Sequence, residues 1–169
     1  MSSVGVSKRI AVLTAELEAL LAESLDGTAA ERTAVACAWE RLVRRCAVMT
    51  HRTTAAVAEI PLDELGESSY GAALSMLVRI SEAEAKRRIT EARDLGPRVA
   101  MTGEPLAPLL SNTAAQCRGD IGGEHVAIIR TFFKKLPGFV DHATREAAEA
   151  QLAELACGKR EGSECCQRT

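Results

Sequence analysis

Three kinds of side chain in this sequence could do chemistry: three histidines, six cysteines and several clusters of arginine and lysine. The histidines are His51, His125 and His142, and two follow an acid directly, as Glu124-His125 and Asp141-His142. Adjacent helical residues point about 100° apart, so neither pair is an acid–base couple by itself. They read as surface or hydrogen-bonded helix residues. Cys37, Cys46 and Cys117 fall in helical patterns, while Cys157, Cys165 and Cys166 crowd the end. Adjacent cysteines rarely both ligate one tetrahedral ion, so this is not zinc spacing. An apolar chain of this size needs no disulfide framework, and the six read as thiols.

Phosphate-loop, nucleophile-elbow, His-Glu-x-x-His and dinucleotide fingerprints are all missing. No catalytic, cofactor-binding or metal-binding residue is expected, and the protein reads as a non-enzyme with no evident small-molecule substrate. The basic clusters are better formed. Arg41, Arg45 and Arg52 share one helix face within about 40°, and Lys86, Arg87, Arg88 and Arg93 crowd another helix. A third run is Arg130, Lys134 and Lys135. These could meet DNA phosphates, with Lys86, Arg87, Arg88, Arg130, Lys134 and Lys135 as the contacts, although a solvated face explains them as well. Ala115, Gly119 and Ile128 partly match a helix-turn-helix, with His125 at a position such motifs keep apolar.

The elements that must position these groups are all helices. Ile10, Leu13, Leu17, Leu20 and Leu21 predict a helix over 7–25. Thr28 and Glu31 form a capping box for a long second helix that runs to the Ile60-Pro61 break. Along it Val35, Trp39, Leu42, Cys46, Met49, Thr53, Ala56 and Ile60 alternate spacings of four and three, a heptad seam. Val35, Trp39, Leu42 and Met49 are its candidate interface, toward the first helix or a second copy. Further helices are expected over 70–80, with Leu74, Leu77 and Val78 inward, and over 82–95, opened by a Ser81/Glu84 capping box and closed by a left-handed cap at Gly96 before Pro97. The pattern continues with 106–118, 124–136 and 139–156.

About seven helices with short connections predict an all-α, antiparallel multi-helix bundle with one long heptad-bearing helix. The composition agrees: 29 alanines, five aromatic rings, and only 12 Gly and 5 Pro. A net charge of -2 gives no global attraction to nucleic acid. There is no apolar run for a membrane span and no secretory signal, so the default compartment is cytoplasmic. Residues 1–157 form the expected helical domain, and 158–169 a polar, cysteine-containing tail expected to be disordered.

A family resemblance lies in Ile80-Ser-Glu-Ala-Glu-Ala-Lys-Arg-Arg-Ile-Thr-Glu-Ala, in Gly103-Glu-Pro-Leu and in Gly119-Asp-Ile-Gly-Gly-Glu-His-Val-Ala-Ile-Ile-Arg. These segments resemble the N-terminal helical domain of unknown function in the mycobacterial thirteen-E-twelve repeat family. The resemblance covers most of the chain. It implies an actinobacterial, mobile-element-associated protein whose relatives continue into a His-Asn-His nuclease domain. Such a centre needs histidines to hold a metal and activate water, with an asparagine to orient the base. Asn112 is the only asparagine and no histidine follows His142, so the nuclease module is expected to be missing, as in a truncated copy. The reading is a non-enzymatic helical domain, with helix-turn-helix DNA binding or helical homodimerisation as alternatives.

Overall fold

A computed structural model describes residues 3–116 and 119–158. Cys117, Arg118 and the tail with Cys165 and Cys166 lie outside them. The chain divides into two compact units, Met1–Ala38 and Trp39–Thr169.

The first unit contains α1 (Ser3–Leu21) and the start of α2 (Ala29–Ala58). The expected capping box opens α2. Glu31 Oε2 accepts from the Thr28 N–H at 2.8 Å, and the Glu31 N–H donates to Thr28 Oγ1 at 3.3 Å. At 30 residues α2 is roughly 45 Å long.

The second unit holds the rest of α2 and α3 (Leu62–Leu65), a single turn closed by Gly66 in the left-handed conformation. After these come α4 (Tyr70–Val78), α5 (Glu82–Leu95), α6 (Ser111–Gln116), α7 (Gly123–Lys135) and α8 (His142–Ala156). Between α5 and α6 two-residue strands pair antiparallel, β1 (Arg98–Val99) with β2 (Pro105–Leu106). The fold is all-α. α4 packs on α5; α4 buries Gly71, Ala73 and Leu74, and α5 buries Ala85, Ala92 and Leu95. A second cluster gathers Leu95, Leu110, Ile121, Val126, Ile129 and Ala153, with Val48 and Phe133 against it.

Several local expectations are corrected. Gly96 has φ -82° and ψ 172°, extended rather than left-handed, because a residue before proline is pushed out of the helical region. Glycine is still required there, since a Cβ would lie 2.3 Å from the Ala92 carbonyl oxygen. The left-handed cap belongs instead to Arg79, at φ 55°. The sixth helix begins at Ser111, not 106, because Pro105 and Pro108 hold their neighbours extended. α8 begins at His142, not 139, where Asp141 accepts from the Thr144 N–H at 2.9 Å. Leu77 and Val78 are exposed, so only Leu74 of the expected trio points inward.

The expected seam of α2 is not the face that packs in the second unit. That face carries Val48, His51 and Thr54, one residue round from Met49 and Thr53. Val35, Trp39 and Leu42 are 50%, 43% and 46% exposed, and Met49 is half-buried. α1 contributes no buried residue among those described, and Ile10, Leu13, Leu17 and Leu20 all face solvent.

Candidate functional site

The basic clusters separate when their partners are traced. On α5 each candidate DNA contact is paired with an acid of its own helix. Lys86 meets Glu82 at 2.8 Å, Arg88 meets Glu84 at 2.8 Å, and Arg87 bridges Glu84 at 2.7 Å and Glu91 at 2.5 Å. Charges offset at i,i+3 and i,i+4 present little net field. Arg41 and Arg45 lie along Gly119, whose φ of +138° carries the turn close to α2. Arg44 donates to the Gly119 carbonyl at 3.4 Å. Lys134 and Lys135 are exposed in the last turn of α7, where cations suit the helix dipole.

Arg130, the remaining candidate, is buried. α7 buries Val126, Ile129 and Arg130 on one stripe, whereas Ile128, the apolar position of the helix-turn-helix match, is 67% exposed. That motif needs Ile128 packed inside, so the match does not extend to packing.

Arg130 joins an ion network between α2, α5 and α7. Its Nε donates to Asp94 Oδ2 at 2.8 Å and its Nη1 to Glu91 Oε2 at 3.3 Å, while Glu91 Oε1 lies 3.1 Å from His51 Nε2. Burial pushes the Glu91 carboxyl up. The hydrogen bond from His51 and the charges of Arg87, His51 and Arg130 outweigh it and hold the group below its ordinary value. Glu84 is held lower still, from 4.5 to about 2, by the guanidinium hydrogen bonds of Arg87 and Arg88. Its neighbours explain that shift, since the group itself is accessible.

One atom of the network is unmatched: Arg130 Nη2 is buried and has no acceptor among the described residues. A buried donor left without a partner costs about 1–3 kcal/mol. Arg130 also lines a cavity of about 530 Å³ bounded by α5, the β1–β2 hairpin, α7 and α8. A second buried charge stands beside it. Glu149 accepts from the Asn112 N–H and Nδ2 at 3.1 and 2.5 Å and from the Thr113 N–H and Oγ1 at 2.5 and 2.6 Å. Those four donors tie α6 to α8.

The sequence reading missed this cavity and the role of Glu149. A signal existed for Arg130, which occupies an inward position of the 126, 129, 130, 133 stripe. Glu149 stands among Ala147, Ala148 and Ala150, a charge on a small-residue face. Among the described residues, no group of three or more His, Cys, Asp or Glu side chains is placed to hold a metal ion. No described helix is long and apolar enough to cross a membrane.

Comparison with known proteins gives the family. An uncharacterized protein of Mycobacterium tuberculosis is 40% identical over 153 residues, covering 89% of this chain and 34% of its own length. An uncharacterized protein of Mycobacterium bovis is 54% identical over 99 residues, covering 58% of this chain and 22% of its own. The chain thus spans about a quarter to a third of the length of these curated relatives. No solved structure matches. A family profile matches residues 29–163, from the first residue of α2 past the end of α8. With most of its length inside that match, the chain belongs to the family described as Domain of unknown function (DUF222).

Proposed function

We propose that the chain is a non-enzymatic helical docking domain that works by self-association, the kind of module that precedes a His-Asn-His nuclease domain in a mobile-element-associated protein. One observation carries the reading. α1 is 19 residues long, and its large apolar side chains face solvent, as do Val35, Trp39 and Leu42 of α2. Large apolar side chains left exposed along one helix mark an association site.

The occupant is a second copy of this chain. Val6, Ile10, Leu13, Leu17 and Leu20 alternate spacings of four and three, which is the seam of a two-helix coil. Arg9 and Glu16 lie seven residues apart beside that seam. In an antiparallel pair of α1 helices, Arg9 of one copy comes within reach of Glu16 of the other. The same helix is therefore complementary in charge to itself.

Sedimentation of the full chain across a hundredfold concentration range tests the reading. The expected result is a mass rising from monomer toward dimer, and a Leu13→Glu, Leu17→Glu double variant that stays monomeric with its helicity kept. A monomer at every concentration overturns self-association. Nicking of plasmid DNA with added magnesium or manganese overturns the non-enzymatic part.

A further inference from the structure

We infer that the cavity between α5, the β1–β2 hairpin, α7 and α8 is a binding site for a small phosphate monoester, held by Arg130, Arg98, Lys134 and Arg145 of its lining. The argument starts from charge. Five arginine and lysine side chains line the cavity against three carboxylates, in a protein whose net charge is -2.

Two of the carboxylates are engaged: Asp94 accepts from Arg130 Nε, and Glu149 is occupied by the four donors of Asn112 and Thr113, while Glu146 is exposed, 3.8 Å from His142 Nδ1. Arg98, Lys134 and Arg145 form no ion pair among the described residues. Arg98 Nη1 donates only to the Ala107 carbonyl at 3.2 Å, and Arg145 Nη2 to the Phe133 carbonyl at 3.5 Å. Three unneutralised cations therefore surround one cavity. Arg130, whose side chain is 8% exposed, also lines it, and its buried Nη2 has no acceptor among the described residues. Unmatched buried donors are rare, so this guanidinium keeps hydrogen-bonding capacity that the described residues leave unused.

The chemistry of the ligand follows from that inventory. A single carboxylate brings one charge to three free cations and a guanidinium. A phosphate monoester brings about -1.5 to -2 at neutral pH and three acceptor oxygens. Arginine forks match phosphate oxygens in geometry as well as charge. The cavity, at about 530 Å³, falls in the range of roughly 300–1,000 Å³ usual for small-molecule sites. Pro108, Leu109 and Phe133 add an apolar wall for the organic part of the ligand.

Calorimetry on the full chain tests the site, with adenosine 5′-monophosphate and inorganic phosphate as probes and adenosine as the control. Adenosine monophosphate is expected to bind at least tenfold more tightly than adenosine. Lys134→Ala and Arg145→Ala are each expected to weaken it about tenfold, the effect of one charge-assisted hydrogen bond. Lys134 is exposed and makes no ion pair, so its variant keeps the fold where Arg130→Gln would disturb the network. Equal affinity for adenosine and its monophosphate overturns the proposal. So does unchanged affinity in an Arg98→Ala, Lys134→Ala double variant. A 20-base-pair duplex supplies the competing chemistry, since backbone phosphates are diesters with one charge each. Displacement of adenosine monophosphate by DNA overturns the monoester as the ligand, and failure to displace it supports the site as proposed. The Leu13→Glu, Leu17→Glu variant should bind the probe as the parent does, so this site and self-association fail separately.

Discussion

α1 and α5 make opposite use of their side chains. α1 carries a nearly unbroken apolar stripe, and none of its described residues is buried. Eight of the fourteen residues of α5 are charged, yet it packs into its unit, burying Ala85, Ala92 and Leu95 and holding the Glu91 and Asp94 network. The contrast teaches that apolar content alone does not place a helix inside. α5 packs through small buried side chains at 85 and 92, while its acids reach His51 on α2 and Arg130 on α7. α1 has an apolar seam, yet none of its described residues is buried.

The largest expected effect falls on the α5 network. Glu91→Ala removes the acid facing His51, Arg87 and Arg130 and leaves a buried guanidinium partly uncompensated, which should cost about 3–5 kcal/mol in urea unfolding. A loss no larger than that of the exposed Glu82→Ala would mean that α5 is held by its alanines alone. Acid should act in the same direction. The folded carboxyls of Glu91 and Glu84 sit below their unfolded value, so their contribution is complete above about pH 4.5 and is lost as pH falls through the folded values, about 2 for Glu84. A urea midpoint that stays flat between pH 5 and 3 in the parent, or still slopes equally in Glu91→Gln, would break that assignment.

Next in size is a matched pair of truncations. Ile129→Ala, in the core, should cost about 3 kcal/mol. Leu13→Ala, with its parent side chain 65% exposed, should change the monomer by less than about 0.5 kcal/mol. Similar values for the two would erase the contrast between the units. The smallest effect is at the start of α5. Ser81 accepts from the Glu84 N–H at 3.2 Å, and Ser81→Ala should cost about 1 kcal/mol. Circular dichroism and urea midpoints read each of these changes.

Much of the fold was legible in the sequence, and for one reason: the signals are local. The Thr28 and Ser81 caps, the stop at Gly96-Pro97 and the extents of α2, α5 and α7 depend on groups within about four residues of each other. Local rules failed where two of them competed, as at Pro105 and Pro108, where the helical pattern of 106–118 yielded to a two-residue hairpin. They failed again on α2, where the seam through Val35 and Trp39 is the more regular pattern but the face with His51 and Thr54 is the buried one.

By itself, then, the sequence determined an all-α protein, the order of its helices and most of their ends, because hydrogen bonding within a helix and at its caps is a short-range matter. Only the tertiary structure decided which stripe is covered and which basic residues stay available. It turned Arg130 from a surface candidate into a buried one and gathered Arg98, Lys134 and Arg145 around a cavity. The partners that Glu91, Asp94 and Glu149 find on other helices lie 36 to 40 residues away in the chain. Periodicity reports only that a helix has a face, and what meets that face is settled by long-range packing and by the desolvation of the charges brought together there.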